Sequence, residues 1–219
     1  MKAAKVTLLA LLVVLATNAF AQETPEFEVA GQYSLAHYNP ARKYVQNPHN
    51  LNGGGGSFTY NVNRWLGLKA DVEHFGATAW GFNLPGSIAT ANGTIPAGTY
   101  KASGGLNTFL FGPQVKYHGN KLQPWTHVLF GGASSNLWTN LLNTSGVSNK
   151  TNKDVNGFAL EAGGGLDIIA NRKIAIRPFE FDYLQTRLNP PGLAIIRLEN
   201  QNNWRYSAGV VFNLGAVRK

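Results

Sequence analysis

The sequence predicts an all-β protein, an eight-stranded antiparallel up-and-down transmembrane β-barrel. Three observations predict this fold. An apolar leader opens the chain, most later segments alternate apolar and polar residues with a period of two, and short turns alternate with long loops. Four long extracellular loops and three short periplasmic turns are typical of barrels that stand in a bacterial outer membrane.

The leader, residues 1–21, has the features of a secretory signal peptide. Lys2 and Lys5 flank the start of an apolar run over residues 6–16, and Ala19-Phe20-Ala21 follows it. Such a run is too short to cross a bilayer as a helix, which takes about twenty residues. We therefore predict export through the Sec pathway, cleavage after Ala21 and a single barrel domain over residues 22–219.

The composition excludes several classes of function. Charged residues make up 14% of the chain, against about 25% in ordinary soluble domains. The chain has no cysteine, which excludes thiol catalysis, thiolate metal sites and disulfides. No segment after the leader is continuously apolar over the length of a membrane helix, so a membrane-spanning structure must be a closed barrel.

The net charge of +8 has three interpretations. Nucleic acid binding is not expected for an exported chain without a basic cluster. Scattered solvated charge and contact with anionic lipopolysaccharide both remain open. The basic residues in or beside predicted long loops are Arg42, Lys43, Lys101, Lys150, Lys153, Arg187 and Arg197.

The alternation predicts eight strands and a bulge. The strands cover about residues 27–38, 55–62, 65–75, 103–117, 123–133, 155–169, 174–186 and 203–214. Pro113 is unfavourable inside a central strand and predicts a β-bulge there. The fifth strand alternates too weakly for its faces to be assigned.

The two faces of the strands predict which medium each one meets. The bulky face, with Tyr33, Phe58, Leu68, Leu160 and Phe181, is predicted to contact lipid. The opposite face is mostly small, as the narrow interior of an eight-stranded barrel requires. A soluble lipocalin-like barrel, with its aromatic residues inside, is the alternative.

The small face also carries charges of both signs, which predict an ion-pair network in the barrel interior. The predicted members are Lys69, Asp71, Glu73, Glu161, Asp167, Glu180, Asp182 and Arg205. Even with Lys116 added, carboxylates outnumber cations, which predicts water entry or protonated acids. The cluster of Lys69, Asp71 and Glu73 offers oxygen ligands for a divalent metal, but we prefer the ion-pair network and predict neither metal nor cofactor.

Aromatic residues near the predicted strand ends indicate girdles at the membrane interfaces. The predicted girdle residues are Phe27, Tyr38, Trp65, Tyr117, Trp204 and Phe212.

Several segments, in this order and spacing, resemble the small OmpA-like outer-membrane β-barrel domains over essentially the whole mature chain. The resemblance implies an integral outer-membrane protein of a Gram-negative bacterium, inserted by the barrel assembly machinery, which reads an aromatic residue such as Phe212 at the end of the last strand. The segments are 63–71 (NRWLGLKAD), 111–113 (FGP), 129–132 (LFGG), 163–167 (GGGLD), 176–179 (IRPF), 182–183 (DY) and 205–212 (RYSAGVVF).

The expected function is structural or interactive, with no catalysis. The expected partners are outer-membrane lipids and lipopolysaccharide, and the expected state is a monomer. A narrow ion or small-solute channel is one alternative. A lipid A-modifying enzyme is the other, because His37 and His74 fall on the lipid-facing side near the outer rim, but no motif such as G-x-S-x-G accompanies them.

Overall fold

A computed structural model describes residues 24–39, 49–90, 93–137, 140, 154–188 and 200–215, so the predicted leader lies outside the described residues. The strands are β1 (Phe27–Tyr38), β2 (His49–Asn61), β3 (Leu66–Leu84), β4 (Ile88–Thr90), β5 (Gly93–Ile95), β6 (Gly98–Lys116), β7 (Leu122–Ser135), β8 (Val155–Asn171), β9 (Ile174–Arg187) and β10 (Gln201–Leu214). All of them except β4 and β5 form a closed antiparallel barrel of eight strands, in the order β1-β2-β3-β6-β7-β8-β9-β10, and β1 pairs with β10. This confirms the predicted fold class.

The hairpin of β3 and β6 is longer than the sequence indicates. We expected a loop over residues 76–101, but pairing continues from Ala77↔Gly104, through a register shift, to Leu84↔Gly98. The small pair β4–β5 lies between these two strands in the chain. The Gly-, Ala- and Thr-rich composition suggested a loop, but a well-aligned partner strand overrides weak β-propensity.

The bulge predicted from the sequence lies at a different proline in the structure. The bulge predicted at Pro113 is wrong, because Phe111↔Phe130 and Gln114↔His127 keep one register on either side of it. A register shift occurs instead at Pro178, between the pairs Ser207↔Glu180 and Gly209↔Arg177. Pro178 and Phe179 together oppose a single residue of β10, which is the geometry of a β-bulge.

The outer surface of the barrel carries the bulky residues. Tyr33, Leu68 and Phe181 are 58%, 51% and 52% exposed on the barrel exterior. The lipocalin-like alternative, which would bury them, is therefore wrong. The faces of β7 are now assigned: Trp125, His127 and Leu129 point inward, whereas Val128 and Phe130 point outward. Among the described residues, no helix is long and apolar enough to cross a membrane.

The interior has two regions of different chemistry. The end that carries the long connections is filled by an apolar cluster, which we call the apolar half. The end that carries the short turns, together with the middle of the barrel, holds charged side chains, which we call the ionic half. The apolar half consists of Ala36, Tyr38, Leu51, Phe75, Leu84, Ile95, Leu106, Leu110, Leu129, Ala133, Leu137, Val155, Ala159, Leu184 and Leu188.

Candidate functional site

Arg205 on β10 is the centre of the ionic half. Its Nη1 donates to Asp71 Oδ1 at 3.0 Å, and its Nη2 donates to Glu161 Oε1 at 3.0 Å and to Glu180 Oε1 at 2.9 Å. Its Nε donates to Asp182 Oδ2 at 2.9 Å. The guanidinium group thus joins carboxylates from β3, β8 and β9 in a single fully buried cluster. A planar fork of donors suits such multiple contacts better than an ammonium group does.

A second cluster lies nearer the short turns, around Lys116 at the end of β6. Lys116 Nζ donates to Glu28 Oε2 at 2.6 Å and to Asp167 Oδ2 at 2.8 Å. Arg177 Nε donates to Asp167 Oδ1 at 2.8 Å, and its Nη1 reaches Glu180 Oε2 at 3.2 Å. Arg177 therefore connects the second cluster to the carboxylates around Arg205.

The bulge at Pro178 is what brings Arg177 inside. In a regular strand, residues three apart face opposite sides of the sheet. Arg177 and Glu180 are three apart, yet both are buried in the interior and form an ion pair. The extra residue reverses the alternation, and it places Ile176 outside.

Trp125 on β7 packs between the two clusters. The Lys69 ammonium lies 4.7 Å and the Arg177 guanidinium carbon 4.4 Å from the centroid of its ring. Its Nε1 donates to Asp167 Oδ1 at 3.2 Å. The ring therefore offers a cation–π surface to two buried cations while its own polar atom is satisfied.

The two buried histidines face partners of different kinds. His118 Nδ1 lies 2.9 Å from the Arg64 carbonyl oxygen, and its Nε2 lies 3.2 Å from Glu28 Oε1. Both of these partners can only accept a hydrogen bond. His127 differs, because Lys69 Nζ, which can only donate, lies 3.3 Å from its Nδ1, while Asp182 Oδ1 lies 3.1 Å from its Nε2.

The group of His127, Glu161, Glu180 and Asp182 has the composition of a metal site, with ligand atoms within 4.8 Å of one another. The surrounding cations argue against one. Arg205 already contacts all three carboxylates at 2.9–3.0 Å. A metal-bound histidine donates its other N–H to an acceptor, whereas the other nitrogen of His127 faces Lys69. The donor set fits an ion-pair network better than a metal ion.

Glycines on the inner face of β8 leave room for the network. A Cβ atom at Gly163 would clash with Asp182 Oδ1 and with the carbonyl oxygen of Phe181. A Cβ atom at Gly165 would lie 2.8 Å from Cζ2 of Trp125. The absence of side chains here allows Asp182 and Trp125 to occupy the barrel axis, since an eight-stranded barrel has little interior space.

The eight residues predicted for the interior network all lie inside the barrel and are buried. Sequence reasoning missed Glu28, Arg177, His118 and His127 as members. Glu28 has the same parity as Gln32 and could have been found. His127 lies on the strand whose faces could not be assigned, and Arg177 becomes interior only through the bulge.

The ionic half contains more carboxylates than cations. Several carboxylate oxygens are buried without a hydrogen-bond partner among the described residues. They are Asp71 Oδ2, Glu73 Oε2, Glu161 Oε2 and Asp182 Oδ1. The excess that the sequence indicated therefore persists with Glu28, Arg177 and both histidines included.

The predicted aromatic girdle requires one correction. Tyr38 is fully buried in the apolar half, so its place in a lipid-facing girdle is wrong. It follows Ala36 with a spacing of two on β1, which puts it inside. Near the short turns, Trp65 lies 5.7 Å from Tyr117 and Phe27 lies 5.5 Å from Tyr60, measured between ring centroids. Trp204 and Phe212 face outward.

The outward histidines pair with amides rather than carboxylates. His37 Nδ1 lies 2.9 Å from Asn50 Oδ1, and His74 Nδ1 lies 2.6 Å from Asn107 Oδ1. In both pairs the partner stands directly opposite on the neighbouring strand. Within the described part of the chain, neither ring has the orienting acid that a hydrolytic histidine needs.

Buried side chains occupy both ends of the barrel interior. At the turn end, Asn61 Nδ2 donates to the Pro25 carbonyl oxygen at 2.9 Å and to Glu28 Oε1 at 3.0 Å. Towards the long connections, the side chains of the apolar half are at most 3% exposed. Buried side chains of the described residues therefore extend from the turn end to the apolar half.

Comparison with known proteins gives a consistent result. The family model described as "Outer membrane protein beta-barrel domain" matches residues 7–217. Neisserial surface protein A shares the fold, with a TM-score of 0.56 at 10% identity, over 86% of this chain and 97% of that one. The comparison with curated protein sequences finds no match.

Two further solved structures are more distant. The attachment invasion locus protein Ail of Yersinia pestis has a TM-score of 0.47 at 13% identity, over 86% of this chain and 99% of that one. The outer membrane protein OprG of Pseudomonas aeruginosa has a TM-score of 0.46 at 14% identity, over 90% and 99%.

Proposed function

Because the chain belongs to the outer-membrane β-barrel domain family and lies in the cell outer membrane, we propose that it is a monomeric, non-catalytic barrel with a structural or surface-interaction role in the envelope. The short turns then face the periplasm and the long connections face the cell exterior. The predicted leader, with cleavage after Ala21, accounts for its export.

The filled interior is the observation that carries this proposal. Arg205, Lys69 and Lys116 are buried in ion pairs in the ionic half, and Leu51 and Leu129 are buried in the apolar half. A barrel packed in this way adds a rigid body to the membrane and presents its long connections outside. The hairpin of β3 and β6 is the largest described part of that outer surface.

Two measurements test the proposal. In planar bilayers, the purified protein is expected to give no channel openings above those of protein-free membranes. A strain lacking the protein is expected to become more sensitive to detergents, and the complete chain should restore resistance. Normal resistance in the deletion strain, together with unaltered adhesion to surfaces and cells, would contradict the proposal.

A narrow ion channel is the second candidate, favoured by carboxylate oxygens of Asp71, Glu73 and Glu161 that have no hydrogen-bond partner among the described residues. The apolar half opposes it, because its side chains are mainly aliphatic and the buried polar side chains beside them, such as Thr186 and Gln201, are hydrogen-bonded to each other. Cation-selective openings that disappear in Asp71→Asn would favour the channel. Hydrolysis of lipid A has less support, given the amide partners of His37 and His74, and an unchanged lipid A mass spectrum on overexpression would dispose of it.

The proposed partners are the surrounding lipids, lipopolysaccharide and the barrel assembly machinery. Phe212 faces outward two residues before the end of β10, where the machinery is expected to bind. We expect Phe212→Ala to slow membrane insertion, measured as the fraction of newly made protein that resists unfolding in unheated detergent gels. Val210→Ala, at the neighbouring outward position, is the matched control.

A further inference from the structure

The charged residues of this chain are segregated between the inside and the outside of the barrel. Of the nine carboxylates among the described residues, seven lie in the interior, whereas only four of the ten described lysines and arginines do. The described part of the outside therefore carries six cations against two acids, while acids are in excess in the interior. The interior carboxylates are Glu28, Asp71, Glu73, Glu161, Asp167, Glu180 and Asp182, and the interior cations are Lys69, Lys116, Arg177 and Arg205.

The three short turns share one sequence pattern, an asparagine followed by a basic residue. The pairs are Asn63-Arg64, Asn120-Lys121 and Asn171-Arg172, and Lys173 adds a further cation. The first and third asparagines have a structural task. Asn63 Oδ1 accepts from the backbone of Trp65 and Leu66 at 2.8 and 2.9 Å, and Asn171 Oδ1 accepts from Lys173 and Ile174 at 2.8 and 3.0 Å.

The basic side chains in these turns have no comparable task. Arg64, Lys121, Arg172 and Lys173 are exposed, and within the described ranges none of them forms an ion pair. The described turn residues 62–65, 117–121 and 172–173 include no acid. We call Arg64, Lys121, Arg172 and Lys173 the basic rim.

The basic rim stands at the level of lipid headgroups. Trp65 and Tyr117 lie beside the first two turns, with their rings in contact, and Arg64 lies over the Trp65 ring at 5.9 Å. Aromatic rings of this kind mark the membrane–water interface. Cations just beyond the aromatic residues are placed where phosphate groups of the adjacent leaflet are found, and both arginine and lysine bind phosphate.

We propose that the basic rim binds the anionic headgroups of phospholipids in the inner leaflet and collects such lipids around the turn end of the barrel. The leaflet assignment rests on the orientation proposed above, but the lipid selectivity does not. The bound group is the phosphate of a lipid with net negative charge, such as phosphatidylglycerol. The eight strands meet in four pairs at this end, three joined by the short turns and the fourth formed by β1 and β10. Each of the three turns carries a cation, so the lipids would surround most of the barrel.

The absence of cysteine permits a position-specific test. A single dye is attached at Asn120→Cys on the turn end or at Asn156→Cys on the opposite end, both exposed positions. The protein is reconstituted into phosphatidylcholine vesicles containing a small fraction of phosphatidylglycerol with a quencher on its headgroup. We expect at least twofold stronger quenching at the turn end, and weaker quenching in high salt, which screens exposed charges.

Variants separate the basic rim from general electrostatics. Replacing Arg64, Lys121, Arg172 and Lys173 by glutamine should remove the excess quenching at the turn end. Exchanging lysine and arginine at the same four positions should retain it, as should Lys101→Gln with Arg187→Gln on exposed sites elsewhere. All variants should keep the heat-dependent gel shift of a folded barrel, because the basic side chains make no described structural contacts with acids.

Three outcomes would overturn the proposal. They are equal quenching at both ends, quenching at the turn end that survives in the glutamine variant, and rim-dependent pelleting with purified peptidoglycan in place of lipid enrichment. A wrong orientation, with the short turns outside the cell, can be told apart from a wrong lipid assignment. The vesicle result would then be unchanged, while protease added to whole cells would cleave at the short turns rather than at the long connections.

Discussion

The interior of this barrel is filled by aliphatic side chains at the end with long connections and by charged side chains at the end with short turns. The same eight strands surround both regions. Leu106 and Leu129 fill space without directional requirements, so other apolar side chains of similar volume can replace them. Arg205 and Lys116 fill space only if each charge meets its counter-charges, because an unpaired buried charge is costly. The two regions should therefore differ in their tolerance of substitution.

Insertion of one alanine between Arg177 and Pro178 should have the largest effect on the ionic half. With the bulge kept at Pro178 and Phe179, the alanine takes the inward position of Arg177, and Arg177 moves to the lipid-facing position of Ile176. We expect a loss of about 5–9 kcal/mol in the free energy of unfolding, from the broken buried pair and the lipid-exposed arginine together. Urea unfolding in phospholipid vesicles measures it, with an alanine inserted between Arg172 and Lys173 in the turn as the control. Equal stabilities of the two insertion variants would show that the bulge does not determine which side Arg177 faces.

Arg205→Met should follow in size. It leaves Asp71, Glu161, Glu180 and Asp182 buried with fewer partners, and removing one member of a buried pair costs about 3–5 kcal/mol. Arg187→Met, at an exposed arginine of β9, is the matched control in the same unfolding experiment. If the two variants were equally stable, Arg205 would not be the centre of the network.

Leu129→Ala tests the apolar half. A buried leucine-to-alanine change costs about 2–5 kcal/mol, whereas Val128→Ala, at the adjacent lipid-facing position, should cost much less. The sharper comparison uses conservative changes. Leu129→Met should cost less than about 1.5 kcal/mol, but Arg205→Lys should cost more, since lysine lacks the planar fork. The reverse order would contradict the difference between the two regions.

Gly163→Ala should lower stability by about 1–3 kcal/mol, the usual cost of overpacking. Its Cβ atom would clash with the Asp182 carboxylate and with the carbonyl oxygen of Phe181, so both the side chain and the β9 backbone must shift. Gly31→Ala, where nothing lies within 4 Å of the added atom, is the control. Equal stabilities of these two variants would mean that β9 can shift at this point without loss to the network.

The difference between the two regions also explains which features could be predicted from the sequence. Alternation separates inward from outward residues where the two faces differ, as for the inward Lys69 and Asp71 and the outward Leu68. The girdle prediction for Tyr38 is wrong for another reason, because it rested on closeness to a strand end although the spacing of two from Ala36 already puts Tyr38 inside. Alternation fails at Arg177, because a bulge changes the parity without changing the composition. The hairpin of β3 and β6 was missed because pairing with a distant segment determined its extent.

The position of Arg205 on the last strand has a consequence for closure of the barrel. Asp71 precedes it by 134 residues and Glu161 by 44, and Asp71 stands on β3, several strands away from β10 around the sheet. An open sheet cannot bring Asp71 against Arg205, because the two meet only across the interior that forms when β1 pairs with β10. Ring closure and neutralisation of these acids are thus one event, and a chain of this design gains from a protein catalyst that shields the open sheet from hydrocarbon until its two edges meet.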